Sequence, residues 1–598
     1  MRRFVAGRGF ALALLGCAAA PTVVWAVAPD AGWMPLGIAI LPWFALARWG
    51  SRPAFRTRLD PAIALFLIAA TIGLWTAYDA AAALAKFRLI LSAVLLYYAL
   101  AYQPAENLWP VAGALAGLGT VISLPLLSAD IGTAAGSHSS LPAASSDAYA
   151  GVMALTVPYI LAVILKGHRL RSRGVALLAC TSFIMVLAGL WASAERSAWV
   201  GAAVAVLVMF GWGARSIAHN SAARAPRSWT RGFLLLLGAA VVVAALAMLV
   251  AGGKWPAGFD SAPIAERLTL GRNSLRLASA FLLTGGGLAS FPGLYSRYVL
   301  LIPVLFTTTS HNLFLDVLTE LGAAGLLSLA AMACGSVCIL RSRMDREPTP
   351  HDPANLLSAA AVGSIAALVA MGLIEDPLFA TPGLGFLLVP FGMAAAVVAN
   401  SERPSGGRVL ATPRVWIGAG TARVLWAVGG GAVLLLLLVF GRVVVSSALA
   451  NAGSVLLARS ELHGWPSDTE PDSAALQGRL RARGVLTRAI SIQPDNVSAN
   501  FRLGLMAMDD LDFAQAREFL TTAWDGAPDH RGVRKALGYD LTWLEEFDAA
   551  RPLLERIPEA PAELDVYAWW WGTQNRDDLA FSAARMSELL QPQVLTSP

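Results

Sequence analysis

Charge is what this sequence has least of. Only 14% of its 598 residues are Asp, Glu, Lys or Arg, where soluble domains carry about one quarter. With 56% hydrophobic residues and a mean hydropathy of +0.60, the shortage excludes an ordinary water-soluble globule. It predicts a chain built mainly of membrane spans. Cysteine is scarce as well. The four present, Cys17, Cys180, Cys334 and Cys338, all lie in apolar segments, which argues against a disulfide framework or a zinc site. Cys334 and Cys338 share a helix face and read as packing residues. Long blocks of one charge sign are missing too. The net charge of +6 is scattered over short loops, so it reports topology rather than nucleic-acid binding.

Apolar stretches of about 20 residues are long enough to cross a bilayer. They fall near 8–28, 33–48, 61–78, 87–103, 108–127, 148–166, 174–192, 197–214, 232–252, 312–340, 355–374, 378–399 and 421–446, thirteen in all. Residues 277–289 are apolar but too short to span, and fit an interfacial or re-entrant segment. Leu14-Leu15-Gly16-Cys17 has the look of a lipoprotein cleavage box, but the apolar run continues to about Ala28 and more spans follow. A first span is therefore the expectation. Arg2-Arg3, Arg48/Arg52/Arg56/Arg58, Lys166/Arg169/Arg171/Arg173, Arg215/Arg224/Arg227/Arg231, Arg341/Arg343/Arg346 and Arg403/Arg408/Arg414 all fall on one side when spans are counted. The positive-inside rule makes that side the cytoplasm. The N-terminus is then cytoplasmic, and the C-terminus lies outside, in the periplasm of a Gram-negative cell.

The last 150 or so residues are polar and repeat. Gly504, Gly538 and Gly572 stand 34 apart, as do Phe513, Phe547 and Phe581, then Ala516, Ala550 and Ala584, then Arg517, Arg551 and Arg585. Pro494 and Pro528 keep the step, and Pro561 comes one residue early. Such a period resembles tetratricopeptide repeats, in which stacked helix hairpins bury their apolar faces on one another. Their concave surface suits a peptide or helix, so a protein partner is expected there. Trp569-Trp570-Trp571 in the last repeat either caps the stack or offers an aromatic docking surface. The expected architecture is all-α: a polytopic membrane helix bundle over 1–447, with an outer catalytic loop at about 253–311, and a soluble helical repeat domain over 448–598.

Several basic residues run against the positive-inside trend. Lys86 and Arg88 open the fourth span, Arg196 opens the eighth, and His311 opens the tenth. Lys254, Arg267, Arg272, Arg276 and Arg297 lie in the loop before it. Counting spans puts all of them on the outer face. An anionic ligand there would explain the cluster, and the arginine fork suits phosphate. Taken singly, each has a plainer reading. Lys86 and Arg88 fit interfacial snorkellers, Arg267 and Arg297 fit solvated loop charges, Arg196 could pair with Glu195, and His311 with Asn312 could cap a helix. No Asp-x-Asp pair or His/carboxylate cluster is visible on the outer loops of the bundle, so a metal has no evident ligands and no cofactor is expected.

Two stretches and a shorter element carry a family resemblance. His311-Asn312-Leu313-Phe314-Leu315, running through Gly322 and Gly325, resembles the core signature of the O-antigen ligase and polymerase superfamily. Arg272-Asn273-Ser274-Leu275-Arg276, followed by Gly285-Gly286-Gly287-Leu288-Ala289-Ser290-Phe291, is similar to that family's arginine-started segment and glycine turn. Ala194-Glu195-Arg196-Ser197-Ala198-Trp199 is similar to its Ser-Arg-Gly-Ala element, with Glu195 where serine is usual. Arg276 replaces a common tryptophan, and the customary proline before the glycine turn is absent. The resemblance covers roughly residues 60 to 400. It implies a metal-independent, inverting glycosyltransferase of the C-type membrane fold in the bacterial inner membrane. Its donor would be a glycan on undecaprenyl pyrophosphate; its acceptor would be lipid A core, another lipid-linked repeat or a protein hydroxyl. Arg196 and Arg272 would hold the pyrophosphate, with Arg276, Lys86 and Arg88 beside them, and His311 would act on the acceptor hydroxyl. Ligase, polymerase and protein O-oligosaccharyltransferase remain open. The rival class is a lipid-linked glycan transporter, which would place charges in mid-span and repeat its spans.

Overall fold

The computed structural model describes residues 7–28, 30–49, 56–134, 143–170, 172–218, 264–346, 353–401, 441–465 and 473–591. The span expected at 232–252, most of that at 421–446, and Lys254 lie outside these residues. Every regular element among the described residues is helical. In hydrocarbon each backbone N–H and C=O must find its partner within its own segment, and a helix satisfies nearly all of them.

Contact clustering divides the chain into two compact units. The first comprises Met1–Leu74, Ala81–Gly271 and Thr309–Thr412. Its helices are α1 (Arg8–Val27), α2 (Met34–Trp49), α3 (Asp60–Thr76), α4 (Ala80–Ala101), α5 (Leu108–Ala134), α6 (Ala143–Arg169), α7 (Arg173–Ser193), α8 (Arg196–Ala218), the first turns of α9 (Ile264–Ala280), α10 (Leu313–Arg346), α11 (Pro353–Gly372) and α12 (Val389–Ser401). Among the described residues nine helices are long and apolar enough to cross a membrane, and eight of these coincide with expected spans. The expected spans at 33–48, 61–78 and 197–214 form shorter apolar helices, Met34–Trp49, Asp60–Thr76 and Arg196–Trp212. The stretch Ser146–His168 is 83% buried and Pro382–Asn400 is 89% buried, so these are central. Leu177 and Leu178 on α7 face outward, as a lipid-facing helix requires. Cys334 and Cys338 do share a face of α10, but both are exposed. The packing expected of them is therefore corrected: this face of α10 is part of the apolar surface.

Small residues set the closest helix crossing. A Cβ at Gly363 would lie 2.8 Å from the Ala205 carbonyl, and one at Gly201 would lie 3.1 Å from that of Ala367. Without a hydrophobic force between helices in lipid, such close backbone approach is what holds α8 to α11. Gly322 interrupts α10 at φ 67°, ψ −170°. Only glycine takes that conformation at low cost, so the first turns of α10 are set at an angle to the long span that follows.

The second unit comprises Trp75–Ala80, Arg272–Thr308 and Pro413–Pro598. Its long helices are the rest of α9, α13 (Gly441–Glu461), α14 (Ser473–Ile492), α15 (Val497–Asp509), α16 (Phe513–Gly526), α17 (Arg531–Trp543), α18 (Phe547–Leu554), α19 (Ala560–Thr573) and α20 (Asp577–Leu590). The boundary expected at residue 447 falls inside α13, which packs Ala450 and Leu457 against Ala482, Leu486 and Leu503 of its neighbours. Residues 277–289 are the last turn of α9 and the turns after it.

Helix hairpins recur at the 34-residue step. A Cβ at Gly504 would lie 2.7 Å from Leu520, and one at Gly538 would lie 2.6 Å from Leu554. Gly453 meets Leu486 in the same manner, which adds the pair α13–α14. Where the next leucine would fall, the chain has Glu588, and Gly572 has open space beside it. A polar terminal unit of this kind keeps the end of a stack soluble. Trp571 is buried edge-on against Trp543 at 6.0 Å, while Trp569 and Trp570 are exposed. The triplet thus splits between packing and surface.

Candidate functional site

The start of α10 is built from side chains that tie down their own backbone. Asn312 Oδ1 accepts from the N–H groups of Phe314 at 3.0 Å and Leu315 at 3.1 Å, an N-cap that satisfies two orphan donors. Its Nδ2 donates to the Leu373 carbonyl at 3.0 Å, joining this loop to the end of α11. The Ser310 N–H donates to Asp316 at 2.9 Å. Held on both sides, His311 takes a left-handed conformation at φ 54°, which histidine adopts more readily than most residues. Strain of this sort collects at functional sites.

His311 Nδ1 lies 2.6 Å from Glu375 Oε2. The other oxygen of Glu375 accepts from Arg267 Nη2 at 2.8 Å. An ionised carboxylate only accepts, so the neutral imidazole carries its proton on Nδ1 and presents the Nε2 lone pair outward. That is the arrangement of a general base oriented by a carboxylate. The imidazole is 42% exposed and can be reached.

A second carboxyl faces the same place. Ala194, at φ 57°, closes the turn between α7 and α8, and Glu195 follows, with Ser197 Oγ donating to it at 3.3 Å. Burial, then the charge of Asp147 and a hydrogen bond with it, and then the charge of Glu375, push the Glu195 carboxyl up to about 8. A carboxyl raised in this way holds its proton more readily than a free one, and its hydrogen-bond partner here is Asp147. Asp147, near the start of α6, lies within electrostatic reach of Glu375 and His311. Glu375 and Glu195 have different neighbours, and such differences separate the roles of carboxyl groups in a site. The cluster sought on the outer loops was one of metal ligands; what the structure brings together is the pair His311 and Glu375, with Asp147 and Glu195 near it. The members come from four separate helix ends, His311 and Glu375 being 64 positions apart, which no local motif displays. They are not so disposed that three of them could share an ion, and no other such group occurs among the described residues.

The residues singled out in the sequence divide between the units. Arg196 opens α8 directly after Glu195, half-buried, in the unit that holds His311. Lys86 is buried there, its Nζ 2.7 Å from Glu320 Oε2 and 3.9 Å from the centre of the Phe379 ring. Arg88 lies against the rings of Trp25 and Trp33 at 5.4 and 5.9 Å. Arg272 and Arg276 belong to the second unit, one turn apart on the exposed face of α9. Arg276 Nη2 contacts both oxygens of Asp529 at 2.7 Å. Glu375, Asp147 and the part played by Arg267 were missed. The signal was available: Glu375 ends an apolar span, and the rule that ionisable groups at a membrane boundary are functional candidates applies to acids as much as to bases.

These features define a polytopic helical membrane protein with a histidine–carboxylate pair at one end of its bundle. Residues 180–330 match the family model described as O-antigen ligase. The matched stretch runs from α7 into α10 and contains Glu195, Arg196, Arg267, Arg272, Arg276 and His311. No curated protein and no solved structure matches the chain. The match supports a role in surface polysaccharide biosynthesis, of a glycosyltransferase-like ligase type, and implies a lipid-linked glycan donor and an acceptor in the membrane.

Proposed function

We propose that this protein transfers a glycan from undecaprenyl pyrophosphate to an acceptor hydroxyl at the periplasmic face of a bacterial inner membrane. The observation that carries the reading is the 2.6 Å contact between His311 and Glu375. Nε2 of His311 takes the proton of the acceptor hydroxyl, and Glu375 stabilises the imidazolium that forms. The acceptor oxygen attacks the anomeric carbon from the face opposite the leaving group. The bond from that carbon to the pyrophosphate oxygen breaks, so the product is inverted and undecaprenyl pyrophosphate departs as an anion. On the family resemblance, Arg196, Arg272 and Arg276 are assigned the positive charge that stabilises it, and Arg88 and Lys86 are assigned to it as well. A leaving group stabilised in this way needs no acid, and the mechanism is metal-independent.

Lipid A core is the acceptor of an O-antigen ligase; a lipid-linked repeat or a protein hydroxyl would make the same chemistry a polymerase or a protein O-oligosaccharyltransferase. The 34-residue hairpins are tetratricopeptide-like repeats outside the cytoplasm.

The test uses the purified chain in nanodiscs with a lipid-linked glycan. His311→Ala should insert normally and transfer nothing, and wild-type transfer should survive EDTA. Full activity of His311→Ala removes the base assignment; strict dependence on added divalent metal removes the metal-free mechanism. Deleting the gene identifies the acceptor: accumulated lipid-linked polymer means ligase, and single-repeat glycans mean polymerase. Alkaline phosphatase fused after residue 598 should be active, and an inactive fusion would reverse the topology.

A further inference from the structure

The second unit joins 272–308 to the hairpins far along the chain, and the contacts between them are specific. Tyr298 is buried, and its hydroxyl donates to Glu461 Oε2 at 3.0 Å. The guanidinium of Arg502, itself buried, lies 3.3 Å from the centre of the Tyr298 ring. Arg297 Nε donates to the same Glu461 oxygen at 3.0 Å, and its Nη2 donates to Asp509 at 2.8 Å. The Leu300 carbonyl accepts from Lys535, a fully buried ammonium that Glu563 also holds at 2.8 Å. A Cβ at Gly532 would lie 2.2 Å from the Tyr298 carbonyl oxygen, so α17 approaches more closely than any other residue allows. Asn451 on α13 accepts from the N–H groups of Leu283 and Thr284 at 2.9 and 3.2 Å.

These partners sit on α13, α15, α17 and α19, the first helix of each successive hairpin. That face can hold an extended peptide by its backbone carbonyls and alternate side chains. It can equally hold a helical turn, and here it holds residues 297–300, part of the turn Ser296–Leu300 that continues the short helix Phe291–Tyr295. Burying a cation is costly unless it is compensated: Lys535 is paired with Glu563, while Nε and Nη1 of Arg502 have no hydrogen-bond partner among the described residues and its guanidinium rests on the Tyr298 ring, so Arg502 depends on the docked segment. The bound segment is also coupled to α9. Phe291 stacks on Tyr295 at 5.4 Å, and Asn273 Nδ2 donates to the Tyr295 hydroxyl at 3.5 Å. Asn273 is the neighbour of Arg272.

We propose that residues 297–300 are the built-in ligand of the repeat face, and that Arg502, Gly532, Lys535 and Glu461 act through them as positioning residues for Arg272 and Arg276. This rests on the reading of those arginines as donor-binding groups. The peptide expected on the repeats is then, on this face, a part of the chain itself.

The test takes the full-length protein in nanodiscs and measures two quantities: hydrogen exchange of residues 291–301, and affinity for undecaprenyl pyrophosphate. Gly532→Ala and Arg502→Met should each raise exchange in that segment by about tenfold or more while leaving α5 unchanged. Both should weaken binding of undecaprenyl pyrophosphate by about tenfold. Tyr298→Phe deletes a single hydroxyl and should move both readouts the same way by a smaller step, which covers the case of a variant that fails to fold. Unchanged exchange in all three would overturn the docking. Faster exchange with unchanged affinity would overturn the positioning role. Wild-type protein that binds no undecaprenyl pyrophosphate would overturn the donor reading and the positioning role with it, while the exchange result would still decide the docking.

Discussion

Replacing Glu375 by glutamine isolates the feature on which the proposed chemistry depends. The side chain keeps its shape and can still meet His311 Nδ1, but the charge that would stabilise an imidazolium is gone. Its amide can also donate to Nδ1, which would move the ring proton to Nε2 and remove the base. A hydrogen bond to a charged group contributes about 1.5–3 kcal/mol, and each 1.36 kcal/mol of barrier is tenfold in rate. The loss in kcat is then about 10- to 150-fold. Two observations place it in the lower half of that range. Arg267 already draws on the Glu375 charge at 2.8 Å, and the imidazole is 42% exposed, so water screens part of the interaction. Steady-state transfer in nanodiscs, with donor and acceptor varied separately, reads the effect. Glu375 is assigned no contact with the pyrophosphate, so the donor KM should stay within about twofold while kcat falls. A wild-type kcat for Glu375→Gln would refute the orientation argument. A raised donor KM with normal kcat would move Glu375 from the base to the donor site.

Other expectations test other parts of the molecule. Lys86→Ala removes the cation that Glu320 meets in the bundle, at a cost of up to about 3–5 kcal/mol, and should lower the yield of folded protein; Lys86→Met with Glu320→Leu should restore it. The same double variant should also lose part of its donor affinity; unchanged affinity would remove Lys86 from the pyrophosphate site and leave it a structural partner of Glu320. Arg196→Lys and Arg272→Lys should each rescue poorly, since an ammonium cannot reproduce the guanidinium fork, and full donor affinity of Arg272→Lys would exclude paired recognition there. In the repeats, burial first and then the nearby Glu546 and Asp512 push the Asp540 carboxyl up to about 8, against the pull of Arg517. A raised acid is ionised at the expense of the folded state, so its penalty is absent below about pH 4 and grows as pH rises toward 8. Asp540→Asn should therefore raise the melting temperature of the repeats at pH 8 and leave it nearly unchanged at pH 4; equal melting at pH 8 would contradict this.

Much of the architecture was legible because it rests on local patterns. Apolar length marked α1, α4 to α7 and α10 to α12, and the 34-residue step marked the hairpins from Gly504 onward. The pair α13–α14 escaped notice because a long connection separates its helices and puts Gly453 out of step with Gly504. The candidate site was half legible. His311 and Arg196 stand in short motifs, whereas Glu375 and Asp147 carry no motif and acquire meaning only from what lies beside them in space. Lys86 stands out in sequence as an ionisable group in an apolar span, but the partner it meets, Glu320, is 234 positions away. Pairings at that range are decided by helix packing, to which composition and periodicity are blind.

The polar end of the first unit has no meaning until four separate crossings have been made. His311, Glu375, Glu195 and Asp147 are delivered by the ends of α10, α11, α7–α8 and α6. An even number of crossings must lie between Asp147 and Glu195, and again between His311 and Glu375, for them to meet. A nascent chain that skips α10 leaves Glu375 on the opposite side of the bilayer from His311, and one that skips α7 leaves Glu195 opposite Asp147. Such a chain would be inert rather than misdirected. The site thereby works as a safety catch on its own insertion, released only when the whole bundle has been threaded in the right order.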